Sequence, residues 1–281
     1  MTIPNVYLVG APKAGTTSLA QWMAGHPDVY FCQPKEPGYW ASDYPRVREV
    51  RGFDTREKYE GLYTEPKAVS ATHRADGSTV YLYSRDAVPA IVAELGENAR
   101  FIVALRDPTE LVVSFHRLQQ LRLNEDEPDF AAAWKRSLSG GLPGTDLLDP
   151  KLVDYSMVGG LGAAVARLLN VVDRQHVHFI KFEDLRDRPE QVWRDLTAFL
   201  GLSEQPVPDF AVHNASTRTF RSPALHRLRH RPPCPVGRPD PAAAAPVAAQ
   251  PAPGKAQEAV VVARTAQTQG LAGPAQVHRQ S

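Results

Sequence analysis

VYLVGAPKAGTTSL, residues 6–19, runs from an apolar segment through two glycines into three consecutive hydroxyl residues. Val6, Leu8 and Val9 read as a buried strand, and Thr16, Thr17 and Ser18 as the opening of a helix. Gly10 and Gly15 permit backbone conformations and close approaches that a β-carbon would block. The first amides of such a helix have no acceptor within it and point, with the helix dipole, at whatever lies in front. An anion suits that position, and Lys13 adds a full positive charge beside it. The segment Pro12, Lys13, Ala14, Gly15, Thr16, Thr17 and Ser18 is therefore expected to cradle a phosphate.

Residue order narrows the chemistry. A nucleoside triphosphatase loop has its lysine directly followed by Ser or Thr, whose hydroxyl holds magnesium. Here Ala14 and Gly15 separate Lys13 from the first hydroxyl. The PKAGTT order instead resembles the 5′-phosphosulfate loop of sulfotransferases that use 3′-phosphoadenosine 5′-phosphosulfate (PAPS) as donor. That resemblance implies that Lys13 contacts the leaving phosphate and that no metal is needed.

Two further segments carry the same resemblance. In Phe101–Arg117, FIVALRDPTELVVSFHR, a β-prone apolar run ends at Arg106, and Pro108 restarts the chain in the first turn of a helix. Ser114 follows about two helical turns after Arg106, which returns its hydroxyl to the same side. An arginine fork converging with a hydroxyl suits a phosphate monoester. The pattern is similar to the family's segment for the donor's 3′-phosphate, with Arg106 and Ser114 at the matching positions. A strand-end arginine paired with Asp107 and a solvated serine is the alternative. In the other segment, Lys35–Trp40, KEPGYW resembles the family's KEPHYF-type element, whose Glu is the catalytic base. Glu36 is the matching residue, and Gly38 stands where a His is common. Sulfuryl transfer needs a base near the acceptor and a cation near the leaving phosphate, roles that fall to Glu36 and Lys13. Lys35 is either a second anion contact or a surface charge, and His116 and His73 are alternative bases.

The resemblance covers roughly residues 3–228. Residues 179–202, FIKFEDLRDRPEQVWRDLTAFLGL, resemble the family's closing strand and helix, joined by an FEDL turn. Phe182, Leu185, Trp193, Leu196 and Phe199 there are expected in the core, with Glu183 and Asp184 near a helix start. Residues 213–228, HNASTRTFRSPALHRL, match another family element, which implies that Arg218 and Arg221 help bind the donor's phosphates. Asp76, in ADGST, replaces the Glu of a GEAST-like stretch in related bacterial sequences; a polar turn before a helix is the alternative. The family also implies that the region following Ser114, through Pro150, lies over the acceptor pocket and tunes substrate choice.

Composition sets the outer limits. A chain of 281 residues, 43% hydrophobic and 22% charged, can bury one large core. A formal net charge of +1 carries no polyelectrolyte signature, so no nucleic-acid partner is expected. Cys32 and Cys234 make no disulfide framework. His176 with His178, and His226 with His230, lack a third ligand at metal spacing. No apolar run approaches membrane length, and the first strand begins within a few residues of Met1, so a cytoplasmic protein with no membrane insertion is expected.

Strand patterns at 6–9, 29–31, 101–105 and 177–182 alternate with helical ones at 17–24, 84–95 and 155–170, the order of a parallel sheet. With the resemblance, the expected fold is α/β, a three-layer P-loop-like domain with a central parallel β-sheet flanked by helices. That domain is expected over 1–230. Beyond Arg231 there is no Phe, Trp or Tyr, and nine of the 25 prolines occur there, so 231–281 reads as an Ala/Pro-rich disordered tail. The expected activity is transfer of a sulfuryl group from PAPS, as co-substrate, to a hydroxyl or amine of a carbohydrate or small molecule. A P-loop nucleotide kinase or triphosphatase and a catalytically inactive nucleotide-binding protein are the alternatives.

Overall fold

The apolar runs at Val6–Gly10 and Phe101–Ala104 form central strands buried on both faces, as in parallel sheets, and longer amphipathic segments pack around them. The computed structural model describes residues 3–203 and 205. Arg218, Arg221, the expected boundary at 230 and the 231–281 tail lie outside those residues. The first half of the chain forms β1 (Val6–Gly10), α1 (Thr16–Gly25), β2 (Val29–Phe31), α2 (Pro45–Arg51), α3 (Arg56–Gly61), α4 (Pro66–Ser70), β3 (His73–Asp76) and α5 (Ala87–Leu95). The second half forms β4 (Arg100–Leu105), α6 (Pro108–Leu121), α7 (Phe130–Leu138), α8 (Tyr155–Gly159), α9 (Leu161–Leu169), β5 (Val177–Lys181), α10 (Phe182–Asp187) and α11 (Pro189–Leu200).

The five strands make one parallel sheet in the order β2-β3-β1-β4-β5. Tyr7, Leu8, Phe101 and Ile102 of the two central strands are fully buried. After β1 the chain moves to β2 and β3 on one side, and after β4 it moves to β5 on the other. The crevice at the C-terminal ends of β1 and β4 is thus a topological switch point, where open α/β sheets bind ligands. A register shift between Leu8 and Gly10 lets β1 leave its partner just before the 11–15 loop.

Three expectations change. His73–Asp76 is a strand, not the polar turn that stood as the alternative reading of Asp76: its main chain pairs with both β1 and β2. The 155–170 helix is two, because the chain breaks at Gly160. Phe182 opens α10, so the FEDL segment is helical and does not extend β5.

Candidate active site

The C-terminal ends of all five strands feed one cavity of about 1160 Å³. From β1 comes the loop that carries Pro12, Lys13, Gly15, Thr16, Thr17 and Ser18, each of which lines it. Ala14 does not; it is fully buried, with its amide on the Ala11 carbonyl at 3.3 Å. Gly15 occupies the N-cap of α1 at φ 82°, and no side chain caps that helix. The first-turn amides therefore reach the cavity without an intrahelical acceptor. Leu185 explains the glycine: a β-carbon at Gly15 would stand 2.3 Å from its Cδ2.

Arg106 leaves the end of β4 and lines the same cavity. Its Nη1 donates to the Lys13 carbonyl at 3.1 Å, its Nε and Nη2 donate to Glu110, and its guanidinium lies over the Phe182 ring at 4.5 Å. Asp107 is not its partner; it caps α6 by accepting from the amides of Thr109 and Glu110. Ser114, two turns into α6, is buried and lines the cavity. The Lys13 ammonium has no ion-pair partner among the described residues. Partial burial, then the cations of Arg106 and Arg122, hold it below the ordinary lysine range. A lysine crowded by other cations marks a place prepared for an anion.

Among the described residues of the lining, Glu36 is the one acid, set against Lys13, Arg51, Arg106, Arg117, Arg122, Lys151 and Arg186. Lys35 Nζ meets one carboxylate oxygen at 3.0 Å and Arg51 Nη2 the other at 3.1 Å, while Arg51 also donates to the Glu36 carbonyl. Burial pushes the Glu36 carboxyl up, but Lys35, Arg51 and Arg122 together outweigh it and bring it down to about 2. Lys35 is therefore neither loose nor a simple surface charge. Lys13 (φ 66°), Glu36 (φ 67°) and Leu123 (φ 60°) are the non-glycine residues with positive φ among those described. Left-handed backbone at two of the expected site residues fits the clustering of such strain at functional positions.

The backbone after Glu36 is held from beneath by Asp76. Its buried carboxylate accepts from Ser78 at 2.7 Å and from Tyr59 and Tyr81 at 2.8 Å each. Ser78 Oγ in turn accepts from the Gly38 amide at 2.9 Å, and the Tyr81 hydroxyl from the Trp40 amide at 3.3 Å. Gly38 itself turns at φ 73°, which favours glycine over the histidine of related sequences.

Neither alternative histidine lines the cavity. His73 begins β3, at the far end of the sheet, with its ring on the Leu200 carbonyl at 2.8 Å; His116 is buried against the Glu127 carbonyl at 2.9 Å. Leu185, Trp193 and Leu196 are core as expected, with Phe182 and Phe199 partly buried against it, and Leu185 and Phe182 also line the cavity. Arg51 and Arg122 escape sequence reasoning altogether: each is one of many exposed-looking arginines until the fold brings it to Glu36. No cluster of three or more His, Cys, Asp or Glu suited to a metal occurs among the described residues.

A family model described as "Sulfotransferase domain" matches residues 4–229. The chain belongs to the sulfotransferase family. It is 26% identical over 209 residues to the bifunctional heparan sulfate N-deacetylase/N-sulfotransferase 3 of Mus musculus, covering 72% of this chain and 22% of that protein. It is 24% identical over 254 residues to carbohydrate sulfotransferase 15 of Homo sapiens, covering 71% of this chain and 44% of that protein. The chain thus spans less than half the length of these curated relatives. Among solved structures it is similar to a sulfotransferase from Alicyclobacillus acidocaldarius, with a TM-score of 0.64, 26% identity, and coverage of 75% of this chain and 85% of that one. The P-loop-like α/β architecture of this sulfotransferase domain is that of its family, and its three resemblance segments meet in one cavity.

Proposed function

We propose that the protein is a PAPS-dependent sulfotransferase that moves a sulfuryl group to the hydroxyl of a carbohydrate or small molecule, with an amine as the lesser option. One observation carries this reading: the Lys13–Ser18 loop, the Arg106 and Ser114 pair and Glu36 line a single cavity at the switch point of the sheet. The loop amides and Lys13 bind the 5′-phosphosulfate, and Arg106 with Ser114 binds the 3′-phosphate. Glu36 faces the acceptor.

In the proposed step the acceptor oxygen forms a bond to sulfur as the sulfur–oxygen bond to the 5′-phosphate breaks. Lys13 neutralises the charge that grows on the departing phosphate oxygen. Glu36 takes the acceptor's proton. Held at about 2, its carboxylate is ionised at neutral pH but weakly basic; the proton reaches it from an oxygen already made acidic by bonding to sulfur. Adenosine 3′,5′-bisphosphate leaves. Lys13 lacks the adjacent hydroxyl that a magnesium-nucleotide loop requires, which disfavours the kinase alternative.

Calorimetric titration with adenosine 3′,5′-bisphosphate, beside magnesium-ATP, tests the donor assignment. Micromolar or tighter binding of the bisphosphate with none of magnesium-ATP is expected. The reverse preference would overturn the reading in favour of a nucleotide kinase or triphosphatase.

A further inference from the structure

One face of α6 runs along the wall of the cavity. Ser114, Leu118 and the C-cap residue Arg122 stand four residues apart and all three line it, so this face follows the wall for about 12 Å. Ser114 marks the end assigned above to the donor's 3′-phosphate, and Arg122 marks the other. The charge of Arg122 bears on both proposed catalytic groups. Against burial, and with Lys35 and Arg51, it holds the Glu36 carboxyl down; after burial and Arg106, it lowers the Lys13 ammonium. Arg122 therefore belongs to the neighbourhood of Glu36, the residue that faces the acceptor in the proposed step.

The root of Arg122 is fixed while its head is unengaged. The Leu123 amide donates to the Gln120 carbonyl at 3.1 Å and the Asn124 amide to the Gln119 carbonyl at 3.0 Å, which closes the last turn of α6. Asn124 is fully buried, and its side chain donates to Gln119 Oε1 at 2.9 Å. Leu123, between Arg122 and that anchor, turns at φ 60° and joins Lys13 and Glu36 in the left-handed region. Such strain persists only where the surroundings impose it, and it gathers at ligand sites. Arg122 itself is exposed, and its guanidinium has no hydrogen-bond or ion-pair partner among the described residues.

Most other cations of the lining are matched: Arg106 with Glu110, Lys151 with Asp43 and Arg186 with Asp187. Arg117 also lacks an acid partner among the described residues, but it lies within one turn of Ser114, toward the donor end. Around Glu36, the three cations Lys35, Arg51 and Arg122 face two carboxylates, Glu36 itself and Asp76 beneath its turn. Lys35 and Arg51 both bond to Glu36. Even with Asp76 ionised, one positive charge is left over, and Arg122 is the cation without a contact. A neutral acceptor would leave that charge facing the cavity. An oxyanion on the acceptor would give the guanidinium a charge-assisted, two-pronged bond.

Resting on the sulfuryl-transfer reading, we propose that Arg122 is an acceptor-binding residue that selects an acceptor carrying a carboxylate or sulfate near the group to be sulfated. The oxyanion docks on Arg122 at the end of α6 and so sets the reacting hydroxyl against Glu36. The transfer step is the one given above, and no bond to Arg122 is made or broken in it.

The test uses the full chain saturated with PAPS, so that the phosphate loop and the sulfuryl position are both filled, and follows binding of labelled inorganic sulfate by equilibrium dialysis. The PAPS-loaded protein should bind sulfate. Arg122→Met should weaken that binding about tenfold or more, and Arg122→Lys should keep part of it. Affinity for adenosine 3′,5′-bisphosphate should be far less affected, which also reports that each variant is folded. In a separate assay, label from PAPS should pass to glucuronate in preference to its neutral isostere glucuronamide, and Arg122→Met should erase the preference. Sulfate binding that is absent from the PAPS-loaded protein, or that survives Arg122→Met, overturns the inference, as does a preference for glucuronamide. Sulfate binding to the bisphosphate complex that PAPS abolishes overturns it too, because Arg122 then serves the donor's own sulfuryl group. Each of these outcomes leaves the donor assignment standing. A chain that binds neither PAPS nor the bisphosphate overturns the donor assignment, and the inference falls with it.

Discussion

The guanidinium of Arg106 donates to the main-chain carbonyl of Lys13 at 3.1 Å, across the crevice between the ends of β1 and β4. One fork thus holds the phosphate loop from below, pairs with Glu110 and lies on Phe182, while its edge lines the cavity. On the proposed function the arginine is both a ligand for one anion and a strut for the loop that would bind the other. A lysine keeps the charge but has neither the planar fork nor the face to stack. Arg106→Lys is therefore expected to bind adenosine 3′,5′-bisphosphate about tenfold or more weakly, the loss of one hydrogen bond to a charged group. Calorimetry decides it; full affinity in the variant would reduce Arg106 to a point charge.

In the proposed step Lys13 acts on the transition state more than on binding. Lys13→Ala should lower kcat by about a hundredfold or more, on the order of 3 kcal/mol as for loss of one oxyanion donor, with a smaller change in bisphosphate affinity. Burial and the neighbouring cations hold this lysine below its ordinary 10.5, so in the free enzyme it loses its charge at a lower pH than a solvated lysine. The alkaline limb of kcat/KM should accordingly fall below 10.5, and the Ala variant should lack it. Undiminished turnover in the variant would remove Lys13 from the reaction.

Arg51 sets the state of Glu36. With Lys35 and Arg122 it keeps the carboxyl near 2, against an ordinary 4.5, so the wild-type carboxylate stays ionised throughout the mildly acidic range. A carboxyl held low contributes stability above its unfolded value of about 4.5, and that contribution disappears as pH falls toward 2. Arg51→Met removes one cation and should move the Glu36 titration upward. An acid limb should then appear in the pH–rate profile at a higher pH than in the wild type, together with lower stability at neutral pH. Coincident acid limbs would show that Arg51 does not govern this carboxylate.

Asp76 supports the same carboxylate through the backbone. Three hydroxyls, of Ser78, Tyr59 and Tyr81, converge on it, and two of them carry the bonds on to the amides of Gly38 and Trp40. Asp76→Ala leaves buried hydroxyls without their acceptor, so a loss of about 3 kcal/mol is expected in urea unfolding. Bisphosphate affinity should persist while kcat falls, because the Glu36 turn is released and the phosphate loop is not. A variant that kept full kcat would confine Asp76 to a purely stabilising role.

That the loop residues, Arg106 and Ser114 come together was legible because each segment is local: loop, lysine and helix start lie within residues 10–18, and Arg106 and Ser114 share a strand–helix unit. The apolar runs of β1 and β4 announced the centre of the sheet for the same reason. β3 was not legible, since HRAD has no apolar alternation and owes its conformation to the strands on either side. The Asp76 cluster draws its hydroxyls from Tyr59 of α3, from Ser78 and from Tyr81 in the turn at Thr79–Leu82, and no spacing rule links α3 to the other two. Phe182 and Leu185 show the limit of periodicity: it told that they turn inward, and only the fold determined that inward meant against the phosphate loop. Arg51 and Arg122 carry no local signal at all.

Gly15 and Leu185 provide the sharpest test of that last contact. At φ 82° an alanine costs about 1–2 kcal/mol in backbone energy. Its β-carbon would also lie 2.3 Å from Leu185 Cδ2, an overlap that adds about 1–3 kcal/mol unless α10 shifts. Gly15→Ala should therefore destabilise the protein by about 3 kcal/mol and weaken bisphosphate binding, since a displaced α10 carries Phe182 away from Arg106. Leu185→Ala is destabilising by itself through the cavity it opens. In the double variant the overlap is gone but the backbone cost is not, so the two losses should sum to about 1–2 kcal/mol more than the double variant actually loses. Urea unfolding of the four proteins measures that coupling. Strict additivity would mean that α10 does not press on the phosphate loop, and the link from Leu185 through Gly15 to the donor site would be lost.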